Sequence, residues 1–264
     1  MSALLGLQDV SAGYGERVIV RGVNFDVNEG EFCALLGLNG CGKTTLLKAI
    51  CGLLPLKTGV CRVQGLDCAG LHEHQRARLV SYIPQRHSTL QGVTVLDAVM
   101  MGFYPRLRFL EFPGPAHKAA ALEALEKMGL ASLVNEDFSS LSEGQKQLVI
   151  LTRTLLQNTP VMLMDEPDSA LDFQNRHRIL AKIRQLAKSE HAAALVSLHD
   201  PSLALAYCDR LILMQDGKII SDISLCCSGR EDIEACLSAV YGAIALQEYD
   251  GRYVVMLNQL TVNN

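Results

Sequence analysis

The chain has 264 residues, 49% of them hydrophobic and 20% charged, with a net charge of −4, which is ordinary globular material for one large domain or two small ones. Its longest apolar runs, such as AAALV and VMLM, fall far short of the roughly 18–20 residues that a membrane-spanning helix needs, and no basic cluster interleaved with aromatics marks a nucleic-acid surface. Nine cysteines, an odd number without zinc-type CxxC pairs and without a signal pattern ahead of them, point to reduced thiols in the cytoplasm.

From residue 4 to residue 27 the chain reads as short β segments, LLGLQDV, ERVIV and VNFDV, joined by turns at Gly13, Gly15 and Asn28–Gly30. FCALLG, a short apolar run between turn residues, predicts a fully buried strand. It runs into the glycine-rich LNGCGKTT and then into LLKAICGLL, where Leu46, Leu47, Ile50, Leu53 and Leu54 recur at helical spacing. From Leu71 to about Leu156 the segments EHQRARLV, VTVLDAVMMGF, AHKAAALEALEKMGL and EGQKQLVILTRTLL suit helices, divided by the Pro/Gly-punctuated YPRLRFLEFPGP. Strand and helix then alternate again through VMLMD, a helix over about 172–188, AAALVSLH, a helix near Leu203, and RLILMQDGKII. GREDIEACLSAVYG reads as a helix and GRYVVML as a strand. This order predicts an α/β fold with a parallel sheet flanked by helices and an inserted α-helical subdomain over about 86–157.

GLNGCGKT, Gly37 to Thr44, matches the phosphate-binding pattern G-x-x-x-x-G-K-[ST] between a buried strand and a helix. Gly40 and Gly42 let backbone N–H groups converge on phosphate oxygens without a Cβ in the way. Lys43 is placed to reach the β- and γ-phosphates, and the Thr44 hydroxyl to ligate Mg²⁺. VMLMDEP buries four apolar residues and delivers Asp165 and Glu166 to the C-terminal end of a strand, where open α/β sheets bind their ligands. Alone, that segment reads as a strand ending in a solvated acidic turn; beside the phosphate loop, Asp165 is expected to act on Mg²⁺ and Glu166 to polarise an attacking water. SLHD brings His199 to the same edge as a γ-phosphate sensor, and Gln85 in SYIPQ is positioned to touch the metal or the water.

Taken together, these motifs resemble the nucleotide-binding subunits of ATP-binding cassette (ABC) transporters over roughly residues 5–222. The resemblance implies a P-loop NTPase core with an N-terminal antiparallel β subdomain, and an ATPase domain over 1–222 followed by an extension, 223–264. It implies adenine stacking by Tyr14 in SAGYG, and a nucleotide cradle of Gly37, Asn39, Gly40, Cys41, Gly42, Lys43, Thr44 and Thr45. Gln85, Ser169–Asp172 (SALD) and His199 match the family's Q-loop, D-loop and switch histidine, and LSEGQ, Leu141–Gln145, matches its signature. In the family two subunits pair head to tail, and the signature of one caps the γ-phosphate held by the other. Ser142, Gly144 and Gln145 are thereby implied as contacts to a nucleotide in a second copy of the chain, with Ser142 also a helix N-cap.

Two positions depart from the familiar pattern. Glu143 stands where the family has Gly, and a carboxylate facing triphosphate would repel it, so its side chain is expected to point away. Asp168 replaces the commoner Thr and adds negative charge near the nucleotide. AVMMGFYPRLRF and ALEALEKMGL resemble the subgroup that serves iron-siderophore, haem, cobalamin or related metal-chelate importers. In that subgroup a separate permease crosses the membrane and an extracytoplasmic binding protein delivers cargo. Phe103, Tyr104, Leu107, Phe109 and Phe112 form either an apolar groove for the permease or part of the subdomain's own core. The expected location is therefore the cytoplasmic face of the inner membrane, with ATP and Mg²⁺ as cofactors and no nucleic acid. A different import cargo, an exporter and a soluble non-transport ABC ATPase remain as other readings. Cys41, inside the phosphate loop, is expected to be alkylated with loss of activity unless ATP protects it.

Overall fold

The computed structural model describes residues 3–85, 91–108, 110–169 and 171–257. In chain order the first elements are strands β1 (Ala3–Tyr14), β2 (Arg17–Asn28) and β3 (Phe32–Leu36), helix α1 (Lys43–Ile50), strands β4 (Leu56–Val63) and β5 (Leu66–Asp67), helix α2 (Glu73–Ala77) and strand β6 (Val80–Ile83). A helical section follows, with α3 (Val95–Met100), a 3-10 turn over Met101–Arg106, α4 (Pro115–Lys127) and α5 (Glu143–Gln157). The chain then runs through β7 (Val161–Asp165), α6 (Phe173–Ser189), β8 (Ala193–Ser197), α7 (Pro201–Tyr207), β9 (Arg210–Gln215) and β10 (Lys218–Ser224). Helix α8 (Arg230–Tyr241) and the hairpin β11 (Ile244–Tyr249) and β12 (Arg252–Leu257) end the described chain.

The N-terminal part is two long strands rather than three short ones. A break between ERVIV and VNFDV is avoided because β1 bulges opposite it: Asp9 and Gly22 both take positive φ, 50° and 58°. The Asn24 side chain accepts from the Asp9 N–H at 2.9 Å, satisfying a donor that the irregular ladder leaves over. β1 also pairs with β4, giving an antiparallel sheet in the order β2-β1-β4-β5. Similarly, EHQRARLV is not one helix: α2 stops at Ala77, and Val80 and Ile83 are buried by pairing β6 with β7.

The central sheet has the order β10-β9-β3-β8-β7-β6, with β9–β3–β8–β7–β6 parallel and β10 antiparallel at one edge. Its inner strands β3, β7 and β8 are buried on both faces, and their side chains alternate between two cores. Phe32, Ala34 and Leu36 of β3 join Met162, Met164, Ala194 and Val196 on the face covered by α5 and α6. Cys33 and Leu35 join Val161, Leu163, Ala193 and Leu195 with α1 and the antiparallel sheet on the other. This is the expected α/β core with an antiparallel β subdomain and an inserted helical section.

The C-terminal residues cap the first of these cores. Ile233, Leu237 and Val240 of α8 and Ile244 and Leu246 of β11 are buried in it. The Ser202 hydroxyl of α7 accepts from the Val255 N–H at 3.1 Å, tying the hairpin to the body of the fold.

Candidate active site

Four adjacent strands, β3, β8, β7 and β6, end on the same edge of the central sheet. Their C-terminal connections carry the Gly37–Thr44 loop, His199, Asp165–Glu166 and Gln85 respectively, so residues far apart in sequence meet along one rim.

The loop geometry depends on its glycines. Gly37 has φ 153°, and a Cβ there would lie 2.3 Å from the Met214 carbonyl oxygen. Gly42, at φ 113°, is the N-cap of α1 and would meet Met214 Cε at 3.0 Å. The loop can therefore curl tightly only where side chains are missing. No side chain caps α1, so its first-turn amides face the loop's concavity. Lys43 is buried, and its ammonium donates to the carbonyls of Gly37 at 2.8 Å and Leu38 at 3.3 Å. Asn39, Gly40, Thr44 and Thr45 line a pocket shared with Glu166, and Tyr14, 51% exposed at the end of β1, closes its outer side. Cys41 behaves differently from the expectation: its side chain is buried in the second core, its sulfur turned beneath Gly37. It can offer backbone to a phosphate, but alkylation at this thiol would first require the loop to open.

The turn between β9 and β10 braces the loop from behind, a feature the sequence reading missed although Asp216–Gly217 is a hairpin signal. The Gly217 N–H donates to the Cys41 carbonyl at 3.0 Å, and the Gly217 carbonyl accepts from the Arg21 N–H at 2.8 Å.

Asp165 is almost fully buried and accepts from the Ser197 hydroxyl at 2.7 Å and the Tyr82 hydroxyl at 3.3 Å. Burial, followed by the Asp165 charge, drives the Tyr82 phenol well up, so it stays a neutral donor. Ser197 also accepts from the Glu166 N–H at 3.0 Å. Glu166 itself holds φ 49°, a left-handed conformation unusual away from glycine, which turns its side chain toward its neighbours on the rim. Gln85 Nε2 donates to one oxygen of its carboxylate, and His199 Nε2 pairs with the other. Gln85, Glu166 and His199 thus form one connected group. Ser197 and Tyr82 were not anticipated; their signal is a polar residue at an inward position of an otherwise apolar strand. Asp168 is buried two residues beyond Glu166, and its carboxyl is raised, first by burial, with the Glu166 charge adding and its own backbone N–H and the Arg176 guanidinium opposing.

LSEGQ opens α5. Ser142 is its N-cap, accepting from the Gln145 N–H at 3.3 Å, while the Gln145 side chain accepts from the Ser142 N–H at 2.9 Å. The capping bond uses a lone pair of the Ser142 hydroxyl and leaves its proton available to another acceptor. Glu143 pairs at 2.8 Å with Lys146 one turn on, so its carboxylate lies along its own helix. Gly144 lets Leu171 approach: a Cβ would meet Leu171 Cδ2 at 3.2 Å. Among the described residues no hydrogen bond or ion pair joins 141–145 to 37–45.

Of the five apolar residues expected to form either a permease groove or part of the subdomain's own core, the four described ones differ in burial. Leu107 is buried and Phe103 packs edge-on against His117 at 4.7 Å, whereas Tyr104 and Phe112 are 52% and 79% exposed. Phe109 lies outside the described residues. Ala170 of the SALD segment does too. Among the described residues no cluster of three or more His, Cys, Asp or Glu could hold a metal alone. Thr44 and Asp165 supply hard oxygen donors, the set that suits Mg²⁺ completed by phosphates.

Residues 20–169 match the family model described as ABC transporter. The hemin import ATP-binding protein of Shewanella denitrificans is 34% identical over 82% of this chain and 86% of that protein. Among solved structures, a chain of an ABC transporter described as metal-chelate type, in an inward-facing conformation, superposes with a TM-score of 0.79 at 25% identity, covering 96% of both chains. A dimeric ATP-binding cassette in a post-hydrolysis state, bound to ADP and Pi, superposes with a TM-score of 0.75 at 26% identity over 84% of this chain and 98% of that one.

Proposed function

The chain belongs to the ABC transporter family and is an ATPase subunit of the importer type, and from that premise we propose that two copies close head to tail around two MgATP to drive uptake of a metal chelate through a separate permease. The observation that carries the reading is the linkage of Gln85, Glu166 and His199 at the rim beside the phosphate loop. The likeness to hemin-import and metal-chelate-type proteins supports a siderophore, haem or cobalamin cargo. An extracytoplasmic binding protein would deliver that cargo, and the subunit would sit at the cytoplasmic membrane face. Among the described residues no helix is long and apolar enough to cross a membrane.

In this mechanism Tyr14 stacks on adenine and the loop amides bind the phosphates. Lys43 exchanges the neutral carbonyls of Gly37 and Leu38 for the charged β- and γ-phosphate oxygens, a stronger charge-assisted interaction. Thr44, Asp165 and Gln85 would hold Mg²⁺, which supplies positive charge against the phosphates. Glu166 accepts the proton of the attacking water, while Gln85 and His199 fix the direction of its two oxygens. His199 reads the γ-phosphate, and Ser142 of the opposite copy donates its free hydroxyl proton to it. Separation of the products removes the shared ligand, and the dimer reopens.

Glu166→Gln keeps the size and most of the hydrogen bonding but cannot take the proton. Its turnover should fall by roughly 100-fold or more, while ATP affinity is retained and an ATP-dependent dimer accumulates in size-exclusion light scattering. Sustained multi-turnover hydrolysis by this variant would remove Glu166 from its role.

A further inference from the structure

Ser197 is the last residue of β8 and is fully buried. In the parallel register it lies beside Asp165, the last residue of β7. Alternation along both strands turns the two side chains to the face covered by α1, the face of Ala193 and Leu195 in β8 and of Val161 and Leu163 in β7. A serine is out of character here, since every other residue of β8 is apolar. Its hydroxyl is used twice: it donates its one proton to Asp165 Oδ1 at 2.7 Å and accepts from the Glu166 N–H at 3.0 Å. One buried oxygen therefore touches both the carboxylate expected to hold Mg²⁺ and the peptide that carries the expected base.

The other Asp165 oxygen accepts from the Tyr82 hydroxyl at 3.3 Å. With one hydroxyl on each oxygen, the plane of the carboxylate is set, and each oxygen keeps a lone pair for a cation or its water. Glu166 needs support of a different kind. Its φ of 49° is unfavourable away from glycine and persists only where neighbours hold it. Both acceptors of its N–H belong to Ser197, the hydroxyl and the backbone carbonyl at 3.2 Å. We propose that Ser197 is a positioning residue for ATP hydrolysis: its hydroxyl ties Asp165 to the Glu166 peptide, so that the metal carboxylate and the base are aimed together. The inference rests on the ATPase reading and on the roles proposed there for Asp165 and Glu166. Ser197 takes no part in the proton transfer itself; it acts through the two residues that it joins.

Ser197→Ala removes only the hydroxyl. Its kcat at saturating Mg²⁺ should fall roughly three- to tenfold, and its half-saturating Mg²⁺ concentration should rise by a similar factor, the value of one hydrogen bond at each end. The affinity of the complex with a non-hydrolysable ATP analogue for Mn²⁺, read by electron paramagnetic resonance, should weaken in parallel. In EDTA the Kd for a fluorescent ATP analogue should stay within about twofold of wild type, as expected for a group outside the phosphate cradle. Ser197→Thr, which keeps a hydroxyl, should recover most of the kcat. Tyr82→Phe removes the other donor to Asp165 but leaves the Glu166 N–H untouched, so it should raise the Mg²⁺ requirement with a clearly smaller loss of kcat. Wild-type kcat and Mg²⁺ dependence in Ser197→Ala would overturn the proposal, as would a lower melting midpoint with both unchanged, which is the behaviour of a packing residue. Equal losses of kcat in Ser197→Ala and Tyr82→Phe would remove the tie to Glu166. If wild type itself bound no ATP analogue, the ATPase reading would fall and the Ser197 role with it; intact wild-type binding and turnover with an unaffected Ala variant removes Ser197 alone.

Discussion

Asp168 carries a charge in a place that disfavours it. Burial, with Glu166 adding, raises its carboxyl above the ordinary 3.8, so the fold prefers the protonated form. The stability this contributes is complete below the ordinary value and is lost as pH rises through the raised one. At pH 8 the buried carboxylate is therefore a net cost that the Arg176 guanidinium only partly offsets. Asp168→Asn should melt higher at pH 8, by roughly 2–4 °C if the cost is near 1 kcal/mol, and the gain should vanish in melts near pH 4. A gain that is constant with pH would place the effect elsewhere. Glu143 illustrates the opposite outcome at the same scale. Repulsion by phosphate argued that its side chain turns away, and Lys146 one turn along provides the partner it turns toward. The identity of the residues was enough there because the interaction is local. It was not enough for Cys41, whose burial depends on what packs beneath the loop.

The elements legible in the sequence are those whose signals lie within a single segment. The phosphate loop follows from glycines at fixed spacing between a buried strand and a helix, and α5 from a capping box with an apolar face. β7 and β8 follow from unbroken apolar runs. The elements that were missed depend on distant partners. β4 is partly exposed and contains Gly59, whose lack of a Cβ lets Asp9 of β1 approach; a Cβ would lie 2.2 Å from the Asp9 carbonyl oxygen. β11 becomes legible only through its pairing with β12. The β9–β10 turn belongs with these, being a local hairpin with a remote task. Gly217 has φ 79°, and a Cβ would lie 1.9 Å from the Ile19 carbonyl oxygen. Gly217→Ala must move the turn away from β2 and weaken the bond to the Cys41 carbonyl. A loss of roughly 2 kcal/mol or more in denaturant unfolding is expected, together with a higher KM for ATP. Loss of stability with unchanged nucleotide affinity would limit the turn to a structural role.

At the scale of the whole molecule, the proposed site falls on two separate parts of the described chain. One rim gathers Lys43, Asp165, Glu166, Gln85 and His199, while Ser142 presents a helix start and a free hydroxyl proton on the inserted helical section. In the proposed account each half completes the other only across a pair of chains, so a defect in one half should be complemented by a chain defective in the other. Lys43→Ala loses the phosphate ligand but keeps the signature. Ser142→Asp keeps an equally good helix cap but directs a carboxylate at the γ-phosphate. Each variant alone should be inactive. Mixed in equal amounts, half of the dimers pair unlike chains and hold one intact site of two, so ATP hydrolysis should recover to about a quarter of the wild-type rate. A mixture no more active than the two variants measured separately would contradict a site shared between chains.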